Sequence, residues 1–476
     1  MTSYYPLRRN PDAYSARYFW RRAFPHVAGV VADGARALAA DLLPVGKQGR
    51  KVMQDWAREK ANVTSENAQK KFFDNPGLDT LAVRELTKVG LGIANAGRAY
   101  LWLRISLGMD HDGRSRSAMS LIPKKGYDQL MLTGLAVGTA LGLFRGGTVH
   151  SAIWWDSNKG YLPIPSGHPL PQARRFEPPK TLSDAAADID DLYWAEAFGQ
   201  AIKITRVGEG EARRWIVSVP GTDHPTWEST PNVADFESNF REELNLPSAM
   251  RLGLVQAINY AMRTNGIPRD RRAEEKVLLV GHSQGGMVAV ALAATDPAKI
   301  GFKVAGVITM GSPARRIKVS SDVPVLALEH DQDMVPSLDG TPRKTADGRA
   351  VYYRKLVRPR LSPLFYAHAS STYTETLRHA EKRRGVAPWG RVSETLARLR
   401  DFLPKPGENT RVLHAYIWQD LLTPTKGNTW DQYLSIERAD WEPVSFGGEI
   451  EASAKAPLTP AELMKSVLNR GRGGHE

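Results

Sequence analysis

The alternation of apolar and polar positions changes character near residue 190. Upstream, apolar residues recur at helical spacing over 31–43, 81–107 and the run 129–144 (QLMLTGLAVGTALGLF). Downstream, short apolar runs bounded by turn residues predict strands. AIKITRV (201–207) and WIVSV (215–219), joined by GEGEA, read as an antiparallel hairpin. KVLLV (276–280), VAGVITM (304–310), VPVLAL (323–328) and AVYYRKLV (350–357) supply further strands. Residues 250–262 (MRLGLVQAINYAM) form an amphipathic helix, and another begins at Met287. Strands interleaved with helices predict an α/β fold with a mostly parallel central sheet covered by helices on both faces.

Four regions follow from this pattern. Residues 1–150 form a mainly helical region able to serve as a cap, a docking module or a membrane-surface module. Residues 151–190 form a connector, because PIPSGHPLPQARRFEPPKTL (163–182) is proline-rich and nonperiodic. Residues 191–425 carry the α/β domain, and 426–476 form a partly mobile extension ending in RGRGGHE. No internal repeat is visible.

The chemistry concentrates at Gly281-His282-Ser283-Gln284-Gly285, followed by Gly286. This segment lies between the KVLLV strand and the MVAVALAA helix, the context that a nucleophile elbow requires. Small neighbours let strand and helix approach while the serine occupies a strained turn. The hydroxyl of Ser283 then sits at a helix N-terminus, with the backbone N–H of Gln284 aimed at a developing oxyanion. A second oxyanion donor is expected from the loop after an earlier strand. Pro220-Gly221-Thr222-Asp223 follows WIVSV there and offers the N–H of Thr222.

A serine elbow between strand and helix predicts the α/β-hydrolase arrangement, in which the acid and then the base follow the serine along the chain. After VPVLAL comes Glu329-His330-Asp331-Gln332-Asp333-Met334-Val335-Pro336. Asp333 opens the loop leaving the strand and is the expected acid. Asp331 is the reserve, and Glu329 reads as a terminal strand residue. Among the later histidines, His368 lies just past the next strand, where the base should emerge. His414, alternating within the apolar RVLHAYIW, is the rival, although a core or strand histidine is the commoner role. His379 falls on a charged helical face and His475 in the tail. His111, between Asp110 and Asp112, and His224 read as surface residues.

The series VSVPGTD, VLLVGHSQGG, GVITMGSPA and LEHDQDMVP resembles the core of the α/β-hydrolase lipases, nearest to class 3 (fungal-type) lipases. The resemblance covers roughly residues 195–375. It implies an oxyanion donor at Gly221-Thr222, a nucleophile within Gly281–Gly286, and a strand ending in Gly311-Ser312-Pro313. It also implies the acid in Asp-x-Val-Pro at Asp333–Pro336, which ranks Asp333 above Asp331. Gln284 departs from the leucine usual at its position, the histidine segment departs from the family's, and about 190 residues precede the core. The resemblance implies acyl-ester substrates, such as triacylglycerol or phospholipid, and no metal or other cofactor.

Composition narrows the alternatives. With no cysteine among 476 residues, disulfides, thiolate metal sites and a cysteine nucleophile are excluded. The formal net charge of +13 favours an anionic partner, such as a membrane or cell-envelope surface. Basic residues cluster at 378–391 (RHAEKRRGVAPWGR) without a nucleic-acid-binding motif, so nucleic acid is not expected. The N-terminus has no long apolar run of the Sec-signal kind. The 16 uncharged residues of 129–144 fall short of the roughly 20 that span a bilayer. Cytoplasm, membrane surface and non-Sec export all stay open. The expected activity is ester hydrolysis; an acyltransferase or thioesterase on the same scaffold, or a hydrolase effector delivered by its N-terminal region, are the alternatives. Acyl-chain and head-group preference and oligomeric state are not legible.

Overall fold

The computed structural model describes residues 16–25, scattered positions between 81 and 135, and 144–421 with breaks at 224–228, 332, 341–348, 357–365 and 383–389. It also describes 444–446 and 449–451. The expected helix 31–43, most of 129–144, His111, His224 and His475 lie outside the described residues. Those described between 81 and 106 are helical, as are Met131 and Leu135.

Among the described residues a mixed sheet is the organising element, with helices on both faces, as expected of an α/β hydrolase. Its strands are β1 (Gly146–Asp156), β2 (Gly160–Tyr161), β3 (Gln200–Val207), β4 (Arg214–Val219), β5 (Lys276–His282), β6 (Lys303–Met310), β7 (Val325–His330), β8 (Ala350–Arg354), β9 (Thr410–Leu421), β10 (Val444–Phe446) and β11 (Glu449–Glu451). They lie in the order β10-β11-β1-β9-β3-β4-β5-β6-β7-β8, with β2 beside β1. From β4 to β8 every neighbour is parallel. From β4 back to β1 the pairings are antiparallel.

Among the described residues, six helices of eight residues or more lie around the sheet: α1 (Leu182–Leu192), α2 (Phe236–Glu243), α3 (Ala249–Thr264), α4 (Gln284–Ala293), α5 (Ser370–Lys382) and α6 (Gly390–Arg400). Alternation within the strands sends successive side chains to opposite faces. Trp215, Val217, Val277 and Leu279 pack with α3 and α4. Ile216, Leu278 and Val280 pack with α1, α5 and α6 on the other side. The parallel strands are thus buried on both faces, which is why they read as continuous apolar runs.

Two of the expected regions contain helix or strand. The connector placed at 151–190 contains most of β1, the whole of β2 and all but the last two residues of α1, so only the turn 157–159 and the stretch 162–181 are free of helix and strand. Thr181 and Asp184 form a capping box at the start of α1, with side chain and backbone exchanging hydrogen bonds. The extension after 425 includes β10 and β11, and β11 pairs with β1 at Ala152.

The N-terminal region meets the α/β domain beside the loop after Asp333. Tyr127 donates its hydroxyl to the carbonyl of Leu338. Arg316 pairs with Asp128 and lies 4.3 Å above the Tyr127 ring. Among the described residues, no helix is long and apolar enough to cross a membrane.

Candidate active site

Strand β5 ends at His282 and helix α4 begins at Gln284, so Ser283 alone makes the turn. Its backbone sits at φ 52° and ψ −119°, a conformation that costs a non-glycine residue energy. The surrounding sequence overdetermines it. The Ser283 N–H donates to the Met310 carbonyl at 2.8 Å, and the Ser283 carbonyl receives the N–H groups of Gly286 and Met287. Side chains are excluded where the loop after β4 meets the turn at Ser283. A Cβ on Gly285 would collide with the carbonyl oxygens of Val219 and Pro220, and one on Gly221 would lie 2.6 Å from the Ser283 Cβ. The pair Pro220-Gly221 therefore follows β4 because the loop must press against Ser283.

His368, Asp333 and Ser283 converge from three separate loops. The His368 Nε2 lies 3.1 Å from the Ser283 hydroxyl, and its Nδ1 lies 2.8 Å from the Asp333 Oδ2. Asp333 is buried, whereas the His368 side chain keeps 20% of its surface exposed. Burial opposes ionisation of Asp333, but the neighbouring His368 and three hydrogen bonds prevail. The bonds come from His368, from the Tyr373 hydroxyl at 2.6 Å and from the Val335 N–H at 3.0 Å, and together they hold the carboxyl below its ordinary range.

Neighbouring side chains brace the segment that carries His368. His282 Nε2 donates to the His368 carbonyl at 2.7 Å, and His330 Nδ1 donates to the Ala367 carbonyl at 2.6 Å. His330 also stacks on Tyr373, with ring centroids 3.8 Å apart. Burial, with the nearby His368 second, pushes the His282 pKa down to about 3, so this imidazole is neutral at pH 7. Since its Nε2 carries the proton given to a carbonyl, its Nδ1 accepts from the Tyr193 hydroxyl at 2.7 Å.

The two expected oxyanion donors lie on facing segments. The Gly221 N–H is engaged by the Tyr193 oxygen at 2.6 Å, which leaves Thr222 N–H as the loop's candidate donor. The Gln284 N–H belongs to the first turn of α4, where backbone donors have no intrahelical acceptor. The Gln284 side chain is buried and donates to the Asp235 carbonyl at 2.8 Å and the Asn239 Oδ1 at 2.9 Å. Asn239 in turn donates to the Thr222 hydroxyl at 2.9 Å. Asp235 caps α2 through the Ser238 N–H and accepts from Gln419. Burial and the adjacent Glu237 push its carboxyl up to about 7.

The reserve residues lie elsewhere. Asp331 accepts the Leu356 N–H at 2.9 Å, tying the chain after β8 to the end of β7. Glu329 pairs with Arg315. His414 is fully buried in the middle of β9, with Trp154, Trp155 and Phe176 around its ring. Neither Asp331 nor His414 is brought to Ser283. His379, expected on a solvated face, is half-buried and lies 2.6 Å from the Tyr352 hydroxyl. Among the described residues, no cluster of three or more histidine and carboxylate side chains converges to hold a metal.

Tyr193, Asn239, His330 and Tyr373 join the site without a motif of their own in the sequence. Each acts across a long stretch of chain, and only Tyr373 carried a hint, lying five residues after His368 in AHASSTY.

A family model described as a PGAP1-like alpha/beta domain matches residues 236–351, from α2 to the start of β8. The segment contains Ser283 and Asp333 but neither Thr222 nor His368, and it is about a quarter of the chain. The matched family is lipase/esterase-like, and the match bears on the superfamily without reaching the class 3 lipases. No curated protein and no solved structure matches the chain. The match and the sheet topology support the α/β-hydrolase superfamily, with a lipase/esterase-like domain over the turn at Ser283 and the loop at Asp333.

Proposed function

We propose that the protein hydrolyses carboxylic esters, lipid acyl esters foremost, through a Ser283–His368–Asp333 triad. The observation that carries this reading is the His368 imidazole, within hydrogen-bond reach of both the Ser283 hydroxyl and the buried Asp333 carboxylate. As Ser283 Oγ bonds to the ester carbonyl carbon, its proton passes to His368 Nε2 and the carbonyl electron pair moves onto oxygen. Asp333 holds the imidazole in the tautomer that can accept and stabilises the imidazolium. The N–H groups of Thr222 and Gln284 receive the oxyanion, and one such donor is worth about 3 kcal/mol of barrier. Collapse expels the alcohol, protonated by His368, and leaves an acyl-enzyme. Water, deprotonated by His368, then releases the acid and restores Ser283.

The lipid preference is supported by the lipase resemblance of the four core segments and by the lipase/esterase-like character of the matched domain. Its test compares wild type with Ser283→Ala on p-nitrophenyl esters of short and long acyl chains. Ser283-dependent hydrolysis favouring long chains is the expected result. Equal activity from the two proteins contradicts the mechanism, and a short-chain preference contradicts the lipid assignment. Adding acceptor alcohols and analysing products separates hydrolysis from acyl transfer.

A further inference from the structure

The side chains flanking Ser283 start two hydrogen-bond chains, and both end on the oxyanion loop. On one side His282 receives the Tyr193 hydroxyl at 2.7 Å, and the Tyr193 oxygen receives the Gly221 N–H at 2.6 Å. On the other, Gln284 donates to Asn239 at 2.9 Å, and Asn239 donates to the Thr222 hydroxyl at 2.9 Å. Two consecutive loop residues are thus tethered from opposite sides to the two residues bracketing the nucleophile. The first chain continues to the base, because His282 Nε2–H donates to the carbonyl of His368.

We propose that Tyr193–His282 and Asn239–Gln284 are two positioning clamps that hold the Thr222 N–H at the oxyanion, in register with Ser283 and His368. The proposal deepens the esterase reading and rests on it. Fixing the Gly221 N–H sets the plane of the peptide just before the one that carries the Thr222 donor. Fixing the Thr222 hydroxyl anchors the other end of that residue. With both in place, the donor cannot swing as charge moves onto the substrate oxygen, so reorganisation during the reaction is small.

Each link has a defined direction. The His282 proton goes to a carbonyl, so Tyr193 must donate to His282 and can only accept from Gly221. Burial keeps His282 neutral well below pH 7, which preserves that direction across the working range. In the second chain the Gln284 amide is also anchored on the Asp235 carbonyl, which points its remaining N–H at Asn239. A leucine at 284 would fill the space and leave Asn239 and Thr222 without this anchor. None of the four positioning side chains needs to touch substrate.

The test cuts each clamp while leaving the donor in the backbone. Tyr193→Phe removes the first, and Thr222→Val the second, with Thr222→Ser as the conservative rescue. Steady-state hydrolysis is measured beside inhibition by an alkyl trifluoromethyl ketone. Ser283 adds to that carbonyl, its proton goes to His368, and the resulting hemiketal oxyanion occupies the same hole. In Tyr193→Phe and Thr222→Val, kcat should fall roughly ten- to a hundredfold, the range expected for a misplaced group. KM should stay within about twofold, ketone affinity should weaken by the factor lost in kcat, and Thr222→Ser should recover both. Wild-type kcat and ketone affinity in Thr222→Val overturn the second clamp, and the same result in Tyr193→Phe overturns the first. Loss of kcat without loss of ketone affinity overturns the positioning role. If Tyr193→Phe does not fold, the Thr222 pair decides whether the loop is clamped. Ser283→Ala separates the levels: hydrolysis unaffected by it removes the esterase reading, whereas Ser283-dependent hydrolysis with inert clamp variants removes only the clamps.

Discussion

The two halves of the sheet bury polar side chains to similar depth and use them differently. In the parallel half, His282, His330 and Asp333 lie at or just beyond the carboxyl ends of β5 and β7, and their hydrogen bonds lead into loops that meet at Ser283. In the antiparallel half, Lys203 and His414 face one another across β3 and β9, in the middle of both strands. Lys203 pairs with Asp188 of α1 at 2.9 Å, and His414 is enclosed by aromatic rings. Burial drives the Asp188 carboxyl up and the Lys203 ammonium down, although each is the other's chief compensating charge. A histidine at a strand end can brace the loops that meet at Ser283. One sealed at mid-strand can only help or hinder folding.

Four substitutions sharpen this contrast, in descending order of effect. Ser283→Ala should lower kcat/KM by on the order of 10⁴-fold or more, because the triad acts as a unit, with the melting temperature essentially kept. Asp333→Asn should lower kcat by about 10⁴-fold, since the neutral amide lets His368 adopt the wrong tautomer; pre-steady-state acylation measures this directly. Lys203→Met acts on the other half, leaving Asp188 buried with Arg175 as its remaining cation. It should cost about 3 kcal/mol of stability in urea titrations, with activity per folded molecule unchanged.

His414→Phe should leave activity within about twofold of wild type and change how stability depends on pH. Burial, then the nearby Lys203, lowers the His414 pKa to about 3. Between an unfolded-state pKa near 6.5 and that value, the unfolded chain binds a proton that the folded one refuses. Stability contributed here is therefore whole above pH 6.5 and falls as pH drops toward 3, by roughly 1.4 kcal/mol per pH unit. His282 adds a second slope of the same sign. Asp235, raised to about 7, adds an opposite one, losing stability as pH rises from about 4 to 7. The difference between wild type and His414→Phe isolates the single histidine: it should grow in the variant's favour as pH is lowered below 6.5. A constant difference from pH 7.5 to 4.5 contradicts a neutral, sealed His414.

The parallel half was legible in the sequence because its strands are buried on both faces and stand out as unbroken apolar runs. The elbow was legible for the same reason, with glycines on both sides of a serine between such a strand and a helix. Strand β1 was not, since GGTVHSAIWWD mixes His150 and Ser151 into an apolar segment beside an expected helical region. Helix α1 follows a proline-rich stretch and carries Asp184, Asp188, Asp190 and Asp191, which masked its periodicity. The Thr181-x-x-Asp184 capping box was its available signal. Tyr193 and Asn239 could not be found at all, because 89 residues separate Tyr193 from His282 and 45 separate Asn239 from Gln284. Local pattern carries no trace of such pairings.

The most direct measurement is active-site trapping. Folded wild type is treated with an alkyl fluorophosphonate, digested with trypsin and mapped by mass spectrometry. An activated Ser283 displaces fluoride and yields one adduct, on the peptide 277–299, and Ser283→Ala and Asp333→Asn lose or slow it in step with their activity. An adduct elsewhere, or equal labelling of wild type and Ser283→Ala, contradicts the account.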